Sequence, residues 1–175
     1  LQQAGKIKHL GLCNVGVPEI RQAQRRFEVQ ALQHELSVMN RKAATTGVVA
    51  LVHELGIPFL AHRPLGGHAK VDKLLKNRAM KPLVKKYGVP PHETAMATLL
   101  DLPHPVIPLF GATRVESVDS SLRALKLELD DEDRALRQKI SFDPTPAALE
   151  SIRPHEIPAT LRPLVAGDGP GADPE

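Results

Sequence analysis

Gly111, Thr113 and Arg114 stand in the stretch VIPLFGATRVESV, residues 106–118, where an apolar run passes through a turn into a helix start. An apolar run of this length reads as a buried parallel strand. The helix that opens beyond it presents unpaired N–H groups and the positive end of its dipole. Such a place suits an anion. Gly111 lets the backbone approach closely, Thr113 offers a hydroxyl, and Arg114 offers a planar fork of donors matched to phosphate. The same residues also read as an ordinary strand-to-helix loop, with Thr113 as the helix cap and Arg114 in solvent.

Other polar residues recur just after apolar runs: Asn14 after 6–13, Gln33, His34 and Glu35 after 27–32, and His62 with Arg63 after 57–61. Each run is short enough for a strand, and helical patterns separate them. A helix is predicted over 17–26, where Pro18 and Glu19 suit the first turn and Arg25 and Arg26 the last. Thr45 and Thr46 are expected to cap a second helix through Val48, Leu51 and Leu55, stopped by Gly56. Residues 71–87 carry Leu74, Leu75, Met80, Leu83 and Val84 against a cationic face, with a break expected before Pro82. Pro90, Pro91 and Glu93 announce the next helix, in which Ala95 and Ala97 allow close packing on a sheet. Two more helices are predicted over 115–125 and 130–140.

Strand and helix alternating four times means parallel strands with right-handed crossovers, hence an α/β fold. The polar residues then share the carboxyl-end edge of the sheet, where such folds build their sites. From Asp143 the sequence is dense in Pro and Gly, which divides the chain into a domain at 1–142 and a tail at 143–175. The tail is expected to be extended, with Ile152, Ile157, Leu161 and Leu164 docked and residues 166–175 disordered.

Composition limits the function classes. With 175 residues and 42% apolar content, one core and one domain are expected. A net charge of +3 is spread along the chain, and four Phe and one Tyr leave little for base stacking, so nucleic acid is not an expected partner. No apolar run approaches the roughly 20 residues that span a bilayer, and the N-terminus lacks a signal-peptide pattern. With a single cysteine, Cys13, no intrachain disulfide is possible, and a cytoplasmic location is expected. The opening LQQAGKIKH reads as the end of a helix running into a strand, as though the chain began in mid-fold.

The segments GKIKHLGLCN (5–14), ALQHELSVMNR (31–41), GIPFLAHRPLGG (56–67) and VIPLFGATRVESV resemble, in order and spacing, the C-terminal half of the aldo-keto reductases. These are NADP-dependent oxidoreductases on a (β/α)8 TIM barrel. The resemblance covers about residues 1–140. It implies a C-terminal half-barrel of about four parallel strands, NADPH (NADP) as cofactor, and a small aldehyde or ketone as substrate of the complete protein. By position, Cys13, Asn14 and Gln33 would hold the nicotinamide carboxamide. His62 would flank the ring, with Arg63, Pro64 and Leu65 beside the cofactor. Gly111, Ala112, Thr113 and Arg114 would hold the adenosine phosphate.

This chain departs from the family at four of its positions. Cys13 stands where the family commonly has Ser, His62 where it has Tyr, and Ser120 and Ser121 where an acid and an Asn face the adenine. The family's catalytic Asp, Tyr, Lys and His belong to loops after its second, third and fourth strands. The first strand here corresponds to the fifth, so the resemblance assigns no catalytic residue to this chain. Tyr87, near a helix C-terminus, reads as structural, and Cys13 as a small residue filling a strand end. The eight histidines have no metal-ligand spacing, and only His34 and His62 fall near the expected site.

The expected function is that of a fragment supplying the cofactor side of a carbonyl reductase. The alternative is a catalytically dead binding or scaffold protein of the same fold. Four units would leave both outer strands open, so a complementary N-terminal half-barrel or self-association is an expected partner.

Overall fold

Short apolar runs punctuated by Gly and Pro pair side by side in chain order. The computed structural model describes residues 1–67, 73–74 and 76–152. Its strands β1 (Gly11–Cys13), β2 (Ala31–Glu35), β3 (Phe59–His62) and β4 (Val106–Leu109) form one parallel sheet in the order β1-β2-β3-β4. Between and after them come α1 (Val17–Gln24), α2 (Lys42–Thr45), α3 (Val48–Glu54), α4 (Lys81–Tyr87), α5 (Pro91–Leu100), α6 (Val115–Ala124), α7 (Asp131–Ile140) and α8 (Pro146–Ile152). The α/β class and parallel order are those read from the sequence.

Leu12, Leu32, Phe59 and Val106 stand in one register row, and the pleat sends that row to one face. This is the face that meets the helices. Leu32, Phe59, Ala61 and Val106 share a core with Val17 and Ile20 of α1, Val48, Leu51 and Val52 of α3, and Leu99 of α5. A second cluster, around Val38, Leu74, Met80, Leu83, Ala95 and Ile140, ties α4, α5 and α7 together. Ala95 and Ala97 are buried, as their size predicts for a helix that packs closely. Pro108 lies in the last strand of the sheet, the edge position in which a residue without an N–H is tolerated.

The element bounds differ from expectation in ways that have local causes. Only 11–13 of the predicted 6–13 run pairs with β2, and β3 begins at Phe59 instead of Ile57. β2 occupies 31–35, so Gln33, His34 and Glu35 lie within the strand and do not follow it. Thr45 and Thr46 cap nothing. Their hydroxyls donate back to the Arg41 and Lys42 carbonyls at 3.2 and 2.7 Å, and Gly47 opens α3 with φ 82°. A side chain at Gly47 would be strained by this φ and tight against α8, since a Cβ there would lie 3.2 Å from Ile152 Cγ2. Of the helix predicted over 71–87, residues Lys81–Tyr87 form α4, with Pro82 in its first turn, and 78–80 form a turn before it, so the break expected before Pro82 falls at the start of α4; residues 68–72 and 75 lie outside the described set.

The predicted extended tail begins instead with a helix. Ala148 and Ile152 of α8 are buried, and the Ile152 carbonyl accepts from Arg21 Nη2 at 2.8 Å. Two buried apolar residues spaced four apart give one helical face a core to dock on, which composition alone hides. Ile157, Leu161, Leu164 and residues 166–175 lie outside the described residues.

Tyr87 has the structural role expected of it. Its hydroxyl lies against the Asp133 carboxylate and 2.9 Å from the Glu128 carbonyl, joining the end of α4 to the start of α7. Lys86 Nζ reaches Asp130 at 2.5 Å and Asp133 at 3.0 Å, and these hydrogen bonds hold the Lys86 pKa above its usual range. Asp133 is almost fully buried, so a lost donor is not replaced by water. Tyr87→Phe is expected to cost about 1.5 kcal/mol in urea unfolding. An unchanged midpoint would show that Lys86 alone satisfies the carboxylate.

Candidate functional site

The face of the sheet turned away from the helices carries the polar residues. Cys13, Gln33, Leu60 and Ile107 form one register row, and Glu35, His62 and Leu109 the next row toward the strand ends. Alternation explains why the strand keeps polar side chains: every second residue of β2 and β3 points away from the core. Glu35, absent from the sequence-based site, belongs to this face. Its spacing of two from Gln33 was the available signal.

At the strand ends the backbone turns sharply. Asn14 has φ 54° and Arg63 has φ 51°, the left-handed region that non-glycine residues seldom occupy. The Asn14 N–H donates to the Gln33 carbonyl at 2.9 Å, which fixes the turn after β1 against β2. The Asn14 side-chain amide and His62 Nε2 share a hydrogen bond, with Oδ1 3.1 Å from Nε2. Thus residues 48 apart in sequence meet across the edge of the sheet. Arg63 is exposed, with Nη1 4.0 Å from Glu35 Oε2. Pro64 is buried and Leu65 packs on the second cluster, so the polar groups these two offer toward the edge are backbone ones.

Beyond β4, Gly111, Ala112, Thr113 and Arg114 are all exposed. Arg114 is the N-cap of α6 in extended conformation, and no side chain caps the helix. Thr113 therefore does not play the capping role of the alternative reading. The start of α6 thus has no side chain capping it and stands beside an exposed guanidinium, with the Ser117 N–H bonded to the Arg114 carbonyl at 3.1 Å.

Ser120 and Ser121 point elsewhere. Both are buried; Ser120 Oγ donates to Glu93 Oε1 at 2.6 Å, and Ser121 Oγ to the Ser117 carbonyl at 2.9 Å. His92 Nε2 lies 2.5 Å from Ser120 Oγ and donates to it, since the single hydroxyl proton is already given to Glu93. Arg123 closes the cluster with Nε and Nη2 at 3.0 and 2.8 Å from the same Glu93 oxygen. Burial pushes the Glu93 pKa up, and the bonds from Ser120 and Arg123 outweigh it, leaving the carboxyl below its ordinary value. This cluster clamps α5 to α6 and so fixes where the 111–114 loop stands.

Two histidines are held as weak bases. Burial lowers the pKa of His34; its bond to the Glu35 carbonyl opposes this, and the neighbouring His62 adds to it. Burial likewise lowers that of His104, whose ring lies 4.5 Å from that of His53 at the opposite, N-terminal end of the sheet. Both bind protons more weakly folded than unfolded. Their contribution is therefore favourable above an unfolded pKa of about 6.5 and is lost as pH falls through the folded values. The urea midpoint is expected to drop between neutral pH and the histidine folded range, and less so in His104→Gln; a flat profile would contradict this.

The strand-end groups follow the chain order around one edge: Asn14, Gln33, His62 with Arg63, then 111–114. The aldo/keto reductase family profile matches residues 1–141. The chain belongs to the aldo/keto reductase family. It is 29% identical over 132 residues to pyridoxine 4-dehydrogenase of Escherichia coli, covering 75% of this chain and 44% of that protein. It is 27% identical over 159 residues to a Glycine max protein named "Probable aldo-keto reductase 1", covering 76% and 46%. The thermostable aldo-keto reductase Tm1743, solved in complex with the inhibitor epalrestat, shares the fold with a TM-score of 0.65 at 22% identity, over 80% of this chain and 51% of that one. The chain spans about half the length of these aldo/keto reductase relatives. Among the described residues, no group of three or more His, Cys, Asp or Glu could hold a metal ion, and no helix is long and apolar enough to cross a membrane.

Proposed function

We infer that this chain forms the cofactor side of an NADPH-dependent reductase of aldehydes or ketones and corresponds to the C-terminal half of the (β/α)8 barrel. The observation that carries the reading is the exposed loop 111–114, which leads into a helix end that no side chain caps. Gly111, Ala112, Thr113 and Arg114 would hold the adenosine phosphate, with α6 amides and the guanidinium as donors. Asn14 and Gln33 would orient the carboxamide from the ends of adjacent strands, Cys13 lying beside them. His62, kept in place by Asn14, would flank the ring, and the backbone of Arg63, Pro64 and Leu65 would line the cofactor's path. NADPH, when bound, supplies the hydride. The residues of this chain bind and orient; proton donation to the carbonyl belongs to the four preceding barrel units of the family.

The purified chain is expected to bind NADPH without consuming it in the presence of aldehydes and ketones. Consumption above a heat-inactivated control would contradict this. A second reading, a binding protein of the same fold without turnover, is favoured by one observation. The Ser120 hydroxyl is consumed in the α5–α6 clamp and that of Ser121 by the Ser117 carbonyl of its own helix, so neither proton is left for an adenine. The two readings part on fusion to the first four units of a family reductase: turnover supports the enzyme, and cofactor binding without turnover supports the second reading.

A further inference from the structure

His92 enters the α5–α6 cluster from its half-buried rim, and the hydrogen bonds behind it fix where its proton lies. The Glu93 carboxylate only accepts, so Ser120 spends its single proton there. His92 Nε2, 2.5 Å from the Ser120 oxygen, therefore supplies the proton of that contact. In the neutral imidazole this leaves Nδ1 as an acceptor. Nδ1 has no partner among the described residues, and unlike His104 Nδ1 it is not sealed from solvent. The cluster thus presents one outward acceptor of fixed tautomer. All of its supports belong to α5 and α6, so the arrangement is set within the described fold.

Topology says what such an acceptor would meet. In the chain, α5 lies between β3 and β4, and α6 follows β4. A dinucleotide that runs from His62 past 63–65 to the loop at 111–114 crosses from the end of β3 to the end of β4. The ribose that carries the phosphate also carries the base, which then leaves the sheet edge where α5 and α6 meet. There the hydroxyl protons of Ser120 and Ser121 are already given to Glu93 and to the Ser117 carbonyl, Glu93 is buried, and Arg123 can only donate. We propose that His92 recognises the exocyclic amine of the adenine, its Nδ1 accepting the amine N–H. Ser120 is then a positioning residue, small enough to admit the ring and holding its tautomer through Glu93. The inference rests on the cofactor reading and names the adenine contact within it.

Calorimetric titration of the full chain with NADPH, and with the same dinucleotide carrying hypoxanthine in place of adenine, tests it. Hypoxanthine has a carbonyl where adenine has the amine, so an acceptor would face Nδ1. The wild-type chain is expected to bind NADPH roughly tenfold tighter than the analogue, the effect of one hydrogen bond. His92→Phe keeps the bulk of the ring and should bind the two dinucleotides alike, with the ratio of NADPH to NADH affinity unmoved because both carry adenine. A readout that needs no substitution is the nitrogen resonance of His92 Nδ1, which should shift with NADPH and not with the analogue. Equal binding of the two by the wild-type chain, discrimination that survives His92→Phe, or an unmoved Nδ1 resonance would overturn the proposal and leave the cofactor reading standing. No binding of NADPH by the wild-type chain would overturn both.

Discussion

Replacing Arg114 by Ala is expected to weaken NADPH binding about ten- to hundredfold while leaving NADH binding nearly unchanged. A charge-assisted hydrogen bond to an anion contributes about 1.5–3 kcal/mol, which is that range in affinity. Only NADPH carries the adenosine phosphate, so NADH reports general damage to the loop. Arg114 is exposed and holds α6 through its carbonyl, which accepts from the Ser117 N–H at 3.1 Å and survives the substitution. Titrating both dinucleotides into both proteins gives a difference of differences in which folding effects cancel. Equal weakening, or none, would return Arg114 to the role of a solvated helix-start residue.

Glu93→Ala should be the most damaging single change to the α5–α6 clamp, at about 2–3 kcal/mol in urea unfolding. Its carboxylate is 3% exposed and one oxygen accepts from Ser120 and twice from Arg123. Breaking a fully buried pair costs more, about 3–5 kcal/mol, but the Arg123 side chain is 58% exposed and can return to water. The residual cost falls on the buried Ser120 hydroxyl, left without its acceptor. Glu93→Gln keeps the volume and one acceptor oxygen and should cost less. Neither variant should alter the ratio of NADPH to NADH affinity, since Glu93 lies behind the loop. A change in that ratio larger than the change in stability would contradict this division of roles.

What the sequence showed and what it hid follow from the range of the interactions. β4 was legible to the residue because Val106–Leu109 is a short apolar run set off by Pro103 and Pro105. β2 was displaced because Gln33 and Glu35 point away from the core, and a polar residue in a strand looks like a loop when only apolar runs are followed. Thr45 and Thr46 are good caps by type, yet Gly47 takes the position because the backbone there is left-handed, with φ 82°, and α8 packs tightly against it. The Asn14–His62 bond and the Glu93–Ser120–Arg123 clamp join residues 27 to 48 apart in sequence. No local pattern encodes such pairs; the parallel topology creates them. Four short segments in family order still carried the family assignment, because their spacing is fixed by the β/α repeat itself.

NADPH binding at the carboxyl-end edge of the sheet is tested most directly by amide NMR shifts recorded as NADPH is added to the labelled chain. The expected result is saturable shifts at Asn14, Gln33, His62 and 111–116, with those at 111–116 absent when NADH replaces NADPH. Shifts confined to other surfaces, or identical patterns for the two dinucleotides, would contradict it.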